Sequence, residues 1–221
     1  MRLLLTLVGA ATAVLLAAGL YFGLVASPPD AFQGDYVRIM YVHVPSAFAA
    51  YLAAGTVFVA SLLYLWRGRA LYDHVAHSAT ELATLFTGLA LAGGMIWGKP
   101  VWGTWWAWDA RLVTTAMLFL IFAGALMVRE LVEDRQRGAR LAAVVGIIGA
   151  LDVPLIHYSV VWFRTLHQAP SITRGEIKMA PPMVAALLVN LLAFAALYLY
   201  LLLQRVRLER LEAARSAGIE P

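Results

Sequence analysis

Long apolar runs separated by short polar stretches dominate this chain. Six of them, near 4–26, 45–66, 78–98, 112–129, 141–160 and 183–203, have the length a membrane crossing needs. A helix rises 1.5 Å per residue, so about 20 apolar residues cover about 30 Å of hydrocarbon. The pattern predicts an all-α integral membrane protein, a six-transmembrane-helix bundle forming one domain over residues 1–221. The fifth run is the weakest, because Asp152 and Pro154 interrupt it. The first is longer than the apolar core of a signal peptide, about 7–15 residues, and reads as a retained first helix. The tail at 204–221 mixes Arg and Glu, as on a solvated helix face extending the last span.

Composition agrees. Apolar residues make up 62% of the 221 and charged residues 14%, with mean hydropathy +0.77. Soluble domains run near 45–50% and about 25%, so a soluble globule, a disordered chain and a fibrous protein are excluded. The chain has no cysteine, which excludes a disulfide scaffold, thiolate metal sites, iron–sulfur clusters and CxxCH haem attachment. The lipid bilayer is the partner this composition implies, and no nucleic acid is expected.

Six spans place both termini on one side. Loops on that side hold eleven of the 17 Lys and Arg, and the opposite loops hold six. The positive-inside rule then predicts cytoplasmic termini. The opposite segments, 27–44, 99–111 and 161–182, are rich in Pro, Gly and aromatic residues. Such loops suit a surface that lies on the membrane or holds a flat apolar ligand.

Five of the seven tryptophans lie in the fifteen residues from Trp97 to Arg111. An interfacial aromatic belt accounts for one or two per helix end, but not for four in the seven positions 102–108. Taken as helical, the tract puts Trp102, Trp105, Trp106 and Asp109 on one face and Arg111 on the other. An amphipathic helix of this kind lies in the interface and offers indoles as a stacking platform, although Gly103 is a potential break. A porphyrin is one planar ligand that suits it. Its carboxylates need cations, and Arg38, Lys99, Arg111, Arg164 and Arg174 lie in the same loops.

Of the five histidines, His43 and His167 flank this tract on the outer side. Each lies within three residues of a proline, Pro45 or Pro170. A neutral imidazole on each face of an iron macrocycle completes a six-coordinate site; singly, a histidine near a helix end is as readily structural. His74 and His77 read as an interfacial structural pair, and His157 as a buried, hydrogen-bonded histidine. Asp152 reads as a polar packing residue bonded within the bundle, or as a wall of a ligand cavity.

The tract Trp102-Gly-Thr-Trp-Trp-Ala-Trp-Asp-Ala-Arg-Leu112 resembles the tryptophan-rich WWD signature of haem-handling proteins in cytochrome c biogenesis. With His43 in Met-Tyr-Val-His-Val-Pro and His167 in Thr-Leu-His-Gln, residues 30–203 resemble the haem exporter protein C family of the cytochrome c maturation system. Larger haem lyases of that superfamily carry more helices and a further histidine pair, and fit poorly. The resemblance implies haem b held noncovalently at the periplasmic face of the bacterial inner membrane, with His43 and His167 as axial ligands. Trp97, Trp102, Trp105, Trp106, Trp108, Asp109 and Arg111 are then expected to line the haem or its onward contact. The implied partners are a periplasmic haem chaperone, which forms a covalent bond to a haem vinyl carbon, the ATPase and membrane subunits of an ABC transporter, and a small single-helix helper subunit. No Walker motif is present, so ATP hydrolysis belongs to a partner, and this chain is an assembly factor or transporter subunit. Two other classes compete. An electron-transfer cytochrome b usually carries its histidines nearer the bilayer interior, and a secondary transporter shows repeats or several broken helices.

Overall fold

The computed structural model describes residues 2–167, 175–216 and 218. Six helices run antiparallel: α1 Arg2–Tyr21, α2 Met40–Arg67, α3 Ala70–Trp102, α4 Ala110–Leu131, α5 Arg135–Trp162 and α6 Pro181–Ser216. A π-helical turn, Phe22–Ala26, prolongs α1, and a 3-10 turn, Asp35–Ile39, leads into α2. All six are long and apolar enough to cross a membrane. α3 and α6, at 33 and 36 residues, are longer than a hydrocarbon crossing needs.

The bundle wears its large apolar side chains outside. Leu3, Leu4, Leu7 and Val14 of α1 and Leu120 and Met127 of α4 are exposed, as lipid-facing residues are. The interior is small and partly polar. The buried stripe of α2 is largely alanine (Ala49, Ala50, Ala53, Ala54 and Ala60) and packs on Ala79, Ala83 and Phe86 of α3. Small residues let backbones approach where lipid gives no hydrophobic drive between helices. α1 docks on α6 through Gly19, whose carbonyl accepts from Asn190 Nδ2 at 2.8 Å.

At the end carrying both termini, α3 is tied to α4 and α6 by charge. Arg129 forms a two-point pair with Asp73 (2.7 and 2.8 Å), and Arg205 forms one with Glu81 (2.7 and 2.6 Å). Glu209 approaches His77 (3.3 Å) and His74 (3.7 Å), which fits their structural reading. These contacts explain why α3 begins eight residues before its expected span at 78. Within the tail, Glu209 is the exception, its side chain only 14% exposed and packed as a tie, while Arg210, Glu212 and Arg215 are exposed as on a solvated face.

Candidate ligand cleft

His43 sits near the start of α2, two residues before Pro45, which lies inside the helix. Its Nδ1 lies 2.9 Å from the Ala90 carbonyl of α3. A carbonyl only accepts, so Nδ1 carries the proton and Nε2 keeps a free lone pair. The ring lies against Gly93 and Gly94; a Cβ on Gly94 would stand 3.0 Å from His43 Cε1. Trp97 meets the ring edge-on at 5.7 Å and is anchored by Nε1 donating to Gln33 Oε1 at 2.9 Å.

The tryptophan tract is not a helix lying in the interface. α3 runs through Trp102 and stops at Gly103, whose φ of +76° is a left-handed cap natural to glycine. Lys99 Nζ closes that turn by donating to the Gly103 carbonyl. Non-helical backbone follows to Asp109, the N-cap of α4, whose Oδ1 accepts from the Leu112 amide at 2.9 Å. The side chains therefore divide in another way. Trp102 and Trp106 turn into the bundle and line a cavity, while Trp105 and Trp108 are 54% and 87% exposed.

His167 follows α5. Asp109 uses its other oxygen here: Oδ2 accepts from the Leu166 amide at 3.2 Å and lies 3.4 Å from His167 Nδ1. The carboxylate thus fixes the same tautomer that Ala90 fixes in His43. Burial pushes the His167 imidazole below the usual histidine range and Arg111 adds to this, with Asp109 offsetting part of the fall. The ring meets Trp102 edge-on at 4.9 Å.

His43, His167, Trp102, Trp106 and Arg111 all line one cavity of about 100 Å³. Arg111 Nη2 donates to the His157 carbonyl at 3.2 Å, whereas Arg111 Nε and Trp106 Nε1 are buried without partners among the described residues. Two imidazoles with free Nε2 atoms and two unspent donors fit a metallomacrocycle bearing carboxylates.

The sequence model of the family described as Heme exporter protein C matches residues 1–219. The chain belongs to this family. A Heme exporter protein C of Haemophilus influenzae is 41% identical over 204 residues, 91% of this chain and 82% of that protein. The protein of that name from Bradyrhizobium diazoefficiens is 42% identical over 202 residues, 90% and 76% of the two chains. One from Escherichia coli K12 is 36% identical over 198 residues, 89% and 80%.

In this haem exporter protein C family member, several expected residues lie away from the cavity. Trp97 backs His43 instead of lining the space. Arg38 is spent on Asp35 and on the carbonyls of Leu24 and Val25, and Arg164 is exposed. Arg174 and Pro170 lie outside the described residues. His157 is exposed rather than buried, because it occupies the outer face of α5 beside Tyr158. Asp152 is 7% exposed and its Oδ2 has no partner among the described residues, against the expectation of a bonded residue. Sequence reasoning missed Tyr51 and Thr87, which also line the cavity, and the Ala90 carbonyl. The adjacent Gly93 and Gly94 were a usable signal, since mid-helix glycine costs about 0.5–1 kcal/mol against alanine and calls for a close contact.

Proposed function

We propose that the cleft binds haem b as cargo, with His43 and His167 as its two axial ligands, and presents it for attachment to a periplasmic haem chaperone. One observation carries this reading: two histidines from distant parts of the chain line one cavity, each with Nδ1 held by an acceptor and Nε2 without a hydrogen-bond partner among the described residues. Among the described residues no group of three or more His, Asp or Glu side chains is placed to hold a bare metal ion. Two imidazoles suit iron that arrives with four ligands of its own.

The chain's residues divide the work. Ala90 and Asp109 orient the imidazoles, and bound haem would bring iron and the vinyl group that the chaperone attacks. Trp102 and Trp106 provide aromatic walls, and Arg111 Nε with Trp106 Nε1 would meet a carboxylate. Trp105 and Trp108 lie outward at the mouth, where a docking protein finds exposed indoles. Holding the cargo with one edge outside is a positioning service.

The relatives' name and the WWD tract support placing this work in cytochrome c biogenesis, alongside ABC-type ATPase and membrane subunits and a single-helix helper. The eleven-to-six distribution of cations supports cytoplasmic termini and a cleft on the periplasmic face of the inner membrane. The test is the absorption spectrum of detergent-purified protein titrated with haemin. Saturable low-spin bands of bis-imidazole iron are expected; haemin that stays in detergent, or binds only as high-spin iron, overturns the reading.

A further inference from the structure

Tyr51 forms part of the cavity wall and also heads a second depression on the membrane-facing flank. This groove, of about 600 Å³, follows one stripe of α2 through Leu52, Gly55, Val59 and Leu63 to the first turns of α3 at Leu71 and Val75. From Tyr51 to Leu63 the stripe is about 18 Å long at helical rise. It therefore connects the depth of the cavity floor with the end of the bundle that carries the termini. Its walls are apolar, and Gly55 leaves its middle flat: a Cβ there would meet nothing within 4 Å. At its head, Tyr51 shares the cavity lining with Arg111.

We propose that this groove is the route by which the planar cargo reaches the cleft from the bilayer, sliding along α2 and passing Tyr51. The inference rests on the haem reading above. An apolar trough open to lipid accepts the flat faces of a macrocycle. Tyr51, the shared wall, is the last barrier before Arg111, which offers the ring's carboxylates their first buried cation. The groove is a path and not a second ligation site, since it carries no histidine.

The test loads purified protein in nanodiscs from haemin-charged phosphatidylcholine vesicles and follows the rise of low-spin absorbance. Gly55→Trp fills the trough without meeting the core. Gly124→Trp on α4, where a Cβ likewise meets nothing within 4 Å, is the control for a bulky membrane-facing residue. Gly55→Trp is expected to slow uptake by about tenfold or more, while affinity for haemin added in detergent and the final spectrum stay as in wild type. Gly124→Trp is expected to load at the wild-type rate. Wild-type loading by Gly55→Trp overturns the route, and would mean that the groove holds a lipid chain or a partner helix. An equal loss of affinity in detergent also overturns it, since the substitution would then act through the cleft. Failure of the haem reading shows differently, as a wild-type protein that takes up no haemin from either source.

Discussion

Asp109 Oδ2 stands 3.4 Å from His167 Nδ1 while the same carboxylate, through Oδ1, caps α4 at the Leu112 amide. One side chain thus joins the start of a helix to the orientation of an imidazole 58 residues later. The aspartate of the tryptophan tract holds an imidazole of the cavity wall in place; it does not itself line the cavity.

That division of labour can be separated by substitution. Asp109→Asn keeps a good N-cap, since asparagine and aspartate cap about equally well. It removes the charge that favours the protonated Nδ1. The expected result is unchanged thermal stability with haem affinity lowered by about 10–100-fold, as for other lost partners of ligating histidines. Titration with haemin beside a melting curve checks it. Asp109→Ala should lose the cap as well, costing about 1 kcal/mol of stability.

Gly94 gives the corresponding test at the other imidazole. Alanine there is a better helix former by about 1 kcal/mol, so Gly94→Ala should melt no lower than wild type. Its Cβ nevertheless meets His43 Cε1 at 3.0 Å and should shift the ring from its bond to Ala90. Weaker haem binding in an equally stable protein is the predicted combination. Unaltered affinity would mean that the ring has room to move.

The tryptophans should fall into two classes. Trp102→Ala and Trp106→Ala should lower haem affinity, because both line the cavity. Trp105→Ala and Trp108→Ala should leave affinity nearly unchanged and reduce transfer to the chaperone, because both point outward. Haemin titration and a transfer assay on the same four proteins make the comparison.

How much of this was legible in the sequence differs by level. Six spans followed from hydrophobic length alone, since a bilayer leaves a helix little choice. Their ends did not, because ends are set by caps and polar ties. α3 starts early because Asp73, His77 and Glu81 find partners on α4 and α6, and such pairings carry no local signal. The two candidate ligands were legible as outer-side histidines flanking an aromatic tract. The form of that tract was misread, although its signals were present: Gly103 marks a helix stop and Asp109 a helix start. The His157 environment was not legible, because apolar neighbours on a membrane helix accompany lipid-facing and buried positions alike.

The termini end should be separable from the cleft. Deleting residues 208–221 removes Glu209 from His74 and His77. The truncated protein is expected to melt at a lower temperature and to keep the wild-type iron spectrum, because the cleft lies at the other end of the bundle. A changed spectrum in a correctly inserted truncation would contradict this separation.

The central claim is that His43 and His167 are the axial pair, and the spectra of His43→Gly and His167→Gly test it most directly. Each protein is expected either to lose haem or to show high-spin iron. Added imidazole is expected to restore part of the low-spin spectrum by entering the open cleft. His74→Gly, His77→Gly and His157→Gly are expected to leave the spectrum unchanged. An unaltered low-spin spectrum in both His43→Gly and His167→Gly would contradict the assignment.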